Sequence, residues 1–177
     1  MSTRRGTLWT IAVALCLAGW PQAWAAPGAG DPTPDGVVGK NLDGEAVQLK
    51  GYSGKVVVLT FWATWCPYCL KELPVLERIQ NAAGTDKLQV IAVNTEELAV
   101  FRRATPALKD VKLLMVHDSS GEAARSYGVL GIPHLVIVGR SGQIVQVYRG
   151  YDESSLGAIV EDINRALATA EKPLVRN

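Results

Sequence analysis

Thiols, imidazoles and clustered positive charge are all scarce in this 177-residue chain: it holds three cysteines, two histidines and no run of Lys or Arg. Without a basic run, and with 18 basic against 17 acidic residues, the chain offers nothing for nucleic-acid phosphates to hold. Two histidines are too few to complete an ordinary tetrahedral zinc site unless both join a cysteine pair. No internal repeat is visible. A further absence is local, because no charged residue lies between Arg5 and Asp31.

That uncharged stretch reads as an address. Arg4 and Arg5 form a positive start, Leu8 to Trp20 is largely apolar, and Pro21 with Ala23-Trp24-Ala25 closes the segment. This is the layout of a cleavable secretory signal over residues 1–25, with cleavage after Ala25. The apolar core is shorter than the roughly 20 residues of a spanning helix, although an uncleaved segment could still retain the protein on a membrane. Thr3-Arg4-Arg5-Gly6-Thr7-Leu8 is only a weak twin-arginine match. The expected location is therefore outside the cytoplasm, in the periplasm.

Residues 26–36 (APGAGDPTPDG) are rich in Pro and Gly and are expected to be a flexible lead-in. One domain over 37–170 follows, and 171–177 is read as a tail. Nothing points to more than a monomer. Cys16 falls inside the signal, after a poor lipoprotein box, so the exported chain keeps only Cys66 and Cys69. A structural disulfide gains most from closing a long loop, and this loop is nearly the shortest possible. The pair is better explained as reactive.

The order of elements supports that reading. Val37–Lys40 and Ala46–Leu49 form a strand–turn–strand over Asn41-Leu42-Asp43-Gly44. Lys55–Trp62 is an apolar, β-branched run suited to a central strand covered on both faces. It leads directly into Cys66-Pro67-Tyr68-Cys69, after which Leu70, Leu73, Leu76 and Ile79 recur at helical spacing, with Pro74 expected to kink the helix. Leu88–Val93 is a second buried strand, followed by a helix around Glu96–Leu108, a strand over Val111–Val116 and a short helix over Gly121–Tyr127. His134–Val138 and Gln143–Tyr148 pair as a hairpin, and an amphipathic helix runs over Glu153–Ala168. The fold class is α/β, with a mixed sheet between helical layers.

Cys66 thus stands where a buried strand meets a helix. Its sulfur faces unpaired N–H groups that favour thiolate over thiol, and Cys69 lies one turn along, within bridging reach. Such a pair exchanges with disulfides, Cys66 attacking and Cys69 resolving. Zinc, needing both His117 and His134, and a purely structural bridge are the competing readings.

Phe61-Trp62-Ala63-Thr64-Trp65-Cys66-Pro67-Tyr68-Cys69, together with Gly131-Ile132-Pro133, resembles the active-site strand and cis-proline loop of the thioredoxin superfamily. The resemblance covers roughly Val37 to Ala168. Lys71-Glu72-Leu73-Pro74 and the extra helix and strand between Thr95 and Val116 are similar to its exported TlpA/ResA-like branch. It implies a thioredoxin fold with an N-terminal β-hairpin extension and a central helix–strand insertion. It also implies that Pro133 is cis, that Ile132 pairs with an extended substrate and that Trp65 belongs to an apolar lip. Ordinary thioredoxins place an Asp in the strand and a Lys in its neighbour. Lys55–Trp62 has no acidic residue and Leu88–Val93 no lysine, so the branch's functional glutamate, here Glu72, becomes the expected proton acceptor for Cys69. His134 follows Pro133 and serves either the site or only the start of the hairpin. Thr64 and Tyr68 read as surface fillers.

The resulting expectation is an exported thiol–disulfide oxidoreductase without a cofactor or resident metal. A membrane thiol donor of the DsbD/CcdA type would keep it reduced, and it would reduce disulfides in exported clients such as apocytochromes or copper-site assembly proteins. A disulfide-donating oxidase and a copper-delivery protein are the alternatives. DsbA-like oxidases insert a large helical domain where this chain has a helix and a strand, and copper carriers of this fold space their thiols more widely.

Overall fold

A computed structural model describes residues 25–151 and 154–169. Residues 1–24, 152–153 and 170–177 lie outside the described residues, and with them nearly all of the expected signal (1–25), the expected tail (171–177) and residue 153 at the expected start of the last helix. Seven strands are ordered β2-β1-β5-β4-β3-β6-β7 in one sheet. In chain order these are β1 (Val37–Lys40), β2 (Ala46–Gln48), β3 (Val56–Trp62), β4 (Leu88–Asn94), β5 (Leu114–His117), β6 (His134–Val138) and β7 (Ile144–Arg149). The helices are α1 (Pro67–Ala83), α2 (Leu98–Ala104), α3 (Glu122–Ser126) and α4 (Ser155–Ala168). Strands β3, β4 and β5 run parallel. β6 lies antiparallel to β3, and β1 antiparallel to β5. The mixed α/β thioredoxin-like architecture is as the sequence implies.

Strand β3 is buried along its whole length, which explains its unbroken apolar run. Period-2 alternation divides its side chains. Val56, Val58 and Trp62 enter a core shared with Leu73 and Leu76 of α1, Phe101 of α2 and Ile159 and Ile163 of α4. Val57, Leu59 and Phe61 enter the opposite core, with Ala123 of α3 and Tyr127. Helix α4 is also fastened by polar contacts: the Tyr148 hydroxyl donates to Asp162 at 2.6 Å, and Arg140 donates to the Leu167 carbonyl at 3.2 Å.

The differences from the sequence expectation sit at element ends. The helix expected over Glu96–Leu108 stops at Ala104 and continues as a 3-10 turn over Thr105–Leu108, where Pro106 has no N–H to extend an α-helical ladder. β5 begins at Leu114 rather than Val111. Pro74 sits inside α1 without ending it. The Pro/Gly-rich lead-in is more firmly attached than its composition suggests: Gly30 donates to Ile144, Ile144 to Asp31 and Thr33 to Gly142, all main chain at 2.8–3.0 Å.

The hairpin of β1 and β2 is closed by Asn41, whose side-chain oxygen accepts from the amides of Asp43 and Glu45 at 3.1 and 2.8 Å. It joins the sheet through Lys40 opposite His117. Gly39 makes that approach possible. Its φ is +153°, and a Cβ there would stand 2.9 Å from the His117 carbonyl oxygen.

Candidate active site

Cys66 and Cys69 form a disulfide with Cα atoms 5.3 Å apart. Cys66 is the N-cap of α1, in extended conformation, and its sulfur accepts from the Cys69 amide at 3.1 Å. Pro67 occupies the first helical position, where a missing N–H costs nothing. The strand therefore delivers Cys66 to the positive end of a 17-residue helix, and the donor that caps the helix is also one that stabilises sulfur charge. Cys69 is fully buried and Cys66 is 3% exposed.

The Ile132–Pro133 peptide is cis, as the loop sequence implies. Pro133 is buried, and its carbonyl accepts from Gly150 at 2.8 Å. Ile132 is half-buried and packs against both cores. Exposed apolar side chains flank the pair in sequence, with Trp65 70% exposed and Tyr68 and Leu70 exposed, and Leu130 ahead of the cis-proline loop is 97% exposed. Leu130 had no signal of its own beyond its place two residues before Ile132.

Glu72 is not the solvated helix charge its residue type would suggest. It is 2% exposed, and the Thr60 hydroxyl of β3 donates to its carboxylate at 2.7 Å. Burial pushes its pKa from 4.5 up to about 7, and the Thr60 bond only partly offsets this. It stands one turn past Cys69 on α1, and both side chains face the same core. A carboxyl poised near neutrality can take and return a proton there.

The two histidines are not brought to the sulfurs as a ligand set. The His117 ring bonds through Nε2 to the Glu96 carbonyl oxygen at 2.6 Å and stacks on Phe101. His134 is 1% exposed, packs edge-on to Phe61, and neither ring nitrogen meets a hydrogen-bond partner among the described residues. Burial, and to a lesser degree the Arg149 charge, lower its pKa to about 4. Among the described residues no group of three His, Cys, Asp or Glu could hold a metal ion.

Thr64 corrects the sequence reading. It is no surface filler: its amide donates to one Glu96 oxygen at 2.6 Å and its hydroxyl to the other at 2.8 Å. Sequence reasoning missed Glu96, because Thr95-Glu96-Glu97 looks like an ordinary polar helix start. Its one signal was position, directly past the end of a buried strand parallel to β3. A cavity of about 610 Å³ opens near the other end of β3 and β6, lined among others by Tyr52, Lys55, Val138 and Arg140, and no predicted site residue borders it.

With this geometry in place, comparison with known proteins is decisive. The Redoxin family profile matches residues 28–167. The chain belongs to the Redoxin family. The thiol-disulfide oxidoreductase ResA of Bacillus thuringiensis subsp. konkukian is 30% identical over 121 residues, covering 68% of this chain and 69% of that one. The thioredoxin-like protein YneN of Bacillus subtilis is 36% identical over 114 residues, covering 63% and 66%. Among solved structures, a Chlorobium tepidum protein assigned as the thiol:disulfide interchange protein DsbE superposes with a TM-score of 0.72 at 30% identity. That superposition covers 80% of this chain and 99% of the other. The redoxin described here is accordingly a thiol–disulfide oxidoreductase of the TlpA/ResA-like branch, built around a Cys-x-x-Cys pair.

Proposed function

We propose that this redoxin works as a reductant outside the cytoplasm. In this reading the Cys66 thiolate attacks a client disulfide and one client sulfur leaves as a thiolate. Cys69 then passes its proton to Glu72 and attacks the Cys66 sulfur. The second client sulfur leaves Cys66 as a thiolate and takes the proton back from Glu72. The first client thiolate is protonated by solvent, and the client departs as a dithiol with the Cys66–Cys69 disulfide restored. Trp65 and the backbone at Ile132, beside the N–H-free Pro133, receive the extended client segment by strand-like addition.

The observation that carries this reading is the buried Glu72 carboxyl, held near neutrality by burial one turn from the resolving cysteine. A resolving thiol buried in an apolar core has no water to take its proton, and Glu72 supplies the acceptor. The small insertion formed by α2, its 3-10 turn and β5 argues against a disulfide-donating oxidase with a large helical domain. The expected clients are disulfide-containing exported proteins of cytochrome c maturation or copper-site assembly. The expected electron source is a membrane thiol donor of the DsbD/CcdA type, and the protein acts as a monomer in the periplasm.

The test is the reduction potential of the pair, equilibrated in glutathione or dithiothreitol buffers with the thiols trapped and counted. A value near thioredoxin's, about −270 mV, supports the donor role; one near DsbA's, about −120 mV, assigns the oxidase role instead. Cys69→Ala should trap a client mixed disulfide through Cys66, whereas Cys66→Ala should trap none.

A further inference from the structure

The segment from Ala63 to Cys66 has little regular structure to hold it, yet it sets where the Cys66 sulfur lies against α1. Main-chain bonds to it are few: Cys66 donates to Ala63 and Leu70 donates to Cys66, both at 3.2 Å, while Thr95 donates to the preceding Trp62 at 3.3 Å. Glu96 supplies the rest. Both of its carboxylate oxygens accept from one residue, Thr64, at 2.6 and 2.8 Å. A two-point charge-assisted grip fixes orientation as well as distance.

Glu96 is itself braced from two strands. The Asn94 side-chain amide donates to its Oε2 at 3.1 Å, and its own amide donates back to Asn94 Oδ1 at 3.0 Å. Asn94 is fully buried at the end of β4, in register with Trp62 on one side and His117 on the other. His117 holds the Glu96 carbonyl at 2.6 Å while its ring stacks on Phe101. A solvated surface charge would need none of these supports, because an exposed ion pair or hydrogen bond contributes little. The supports run in one direction, from the rigid ends of β4 and β5 through Glu96 to Thr64, two residues before Cys66.

We propose that Glu96 is a positioning residue for the redox pair. Its carboxylate clamps the loop between β3 and α1 through Thr64 and so keeps the Cys66 sulfur over the first-turn amides of α1. The effect is geometric. The negative charge of Glu96 by itself opposes a nearby thiolate, so the clamp contributes by alignment and not by field. The proposal rests on the redox reading of the pair, and the test separates the two.

The experiment compares wild type, Thr64→Val, Thr64→Ser, Glu96→Ala and the Thr64→Val/Glu96→Ala double variant. Each is reduced, the pH dependence of Cys66 alkylation is followed, and thermal unfolding is recorded beside it. Thr64→Val leaves every charge in place and removes the hydroxyl arm of the grip. It should raise the alkylation inflection by about 0.3–0.7 pH unit, the scale of a helix-terminus interaction, and Thr64→Ser should restore it. In the Glu96→Ala background Thr64→Val should add nothing, because coupled residues are not additive. A wild-type inflection in Thr64→Val, whatever its thermal stability, overturns the clamp, as does a shift of equal size in the Glu96→Ala background. If wild type itself does not exchange with dithiothreitol, the redox reading fails and the clamp with it. Normal exchange by wild type with an unmoved Thr64→Val overturns the clamp alone.

Discussion

Thr60 on β3 donates its hydroxyl to the carboxylate of Glu72 on α1 at 2.7 Å, across a strand–helix interface from which water is excluded. This bond is the one counterweight to the burial that raises the Glu72 pKa. Thr60→Val should therefore push Glu72 further toward its protonated form. The pH profile of client reduction should lose its lower range, because the carboxylate that accepts the Cys69 proton is then present only at higher pH, and the potential should change less than the rate does. The check is kcat against pH for reduction of a peptide disulfide. An unmoved profile would mean that Glu72 takes no part in proton transfer.

Glu72 and His134 should bend the stability curve in opposite directions. Glu72 has a folded pKa of about 7 against 4.5 unfolded, so the folded state binds the extra proton and stability falls as pH rises through that window. His134 has a folded pKa of about 4 against 6.5. Here the unfolded state binds the extra proton, and stability falls as pH drops from 6.5 toward 4. Each effect is on the order of 3 kcal/mol, and the windows overlap, so together they nearly cancel. Glu72→Gln should expose the histidine slope, a loss of stability toward acid; His134→Leu should expose the glutamate slope, a loss toward neutral pH. Guanidinium unfolding of the oxidised protein at pH 4.5, 6 and 7.5 reads both slopes. Parallel curves for all three proteins would refute the assignment.

These two groups also mark the limit of what the sequence carries. The apolar run Val56–Trp62, the Cys-x-x-Cys at its end and Ile132-Pro133 were legible because each depends on local pattern: period, helix start and loop chemistry. Helix α2 ended early for an equally local reason, the missing N–H of Pro106. The Thr60–Glu72 and Thr64–Glu96 bonds span 12 and 32 residues, and no local pattern encodes them. Glu72 was singled out by its place one turn past Cys69, in a chain with no acidic residue in Lys55–Trp62, and by the resemblance of Lys71-Glu72-Leu73-Pro74 to a branch motif. Glu96 had no such support, and Thr64, its partner, was misread as a surface residue.

The exposed apolar rim should affect client binding and leave the chemistry of the pair alone. Trp65, next to Cys66 in sequence, is 70% exposed and Leu130, two residues before Ile132, is 97% exposed, and large apolar side chains that exposed are suited to contact a partner. Trp65→Ala and Leu130→Ser should each raise KM for a peptide disulfide several-fold. A loss of about 1–2 kcal/mol is typical for truncating an anchoring side chain. The reduction potential and the thermal unfolding midpoint should stay at wild-type values. A changed potential in Trp65→Ala would instead assign that side chain to tuning the sulfurs.

Gly39 offers the most direct test of how the N-terminal hairpin supports the sheet. Its φ of +153° is one that residues with a side chain rarely adopt, and an added Cβ meets the His117 carbonyl oxygen and carbon at 2.9 and 3.0 Å, both main chain. Neither atom can swing aside as a flexible side chain would. Gly39→Ala should therefore cost about 1–3 kcal/mol, the usual range for strain at such a backbone position. The damage should spread along a defined route, because His117 sits at the end of β5 and carries the Glu96 carbonyl. Hydrogen exchange should then show lost protection at β1 and β5 first, while the amides of β3 and β6, on the far side of β4 from the hairpin, stay protected until global unfolding. Uniform loss across all seven strands would mean that the hairpin is integral to the cooperative core and not an extension laid on its edge.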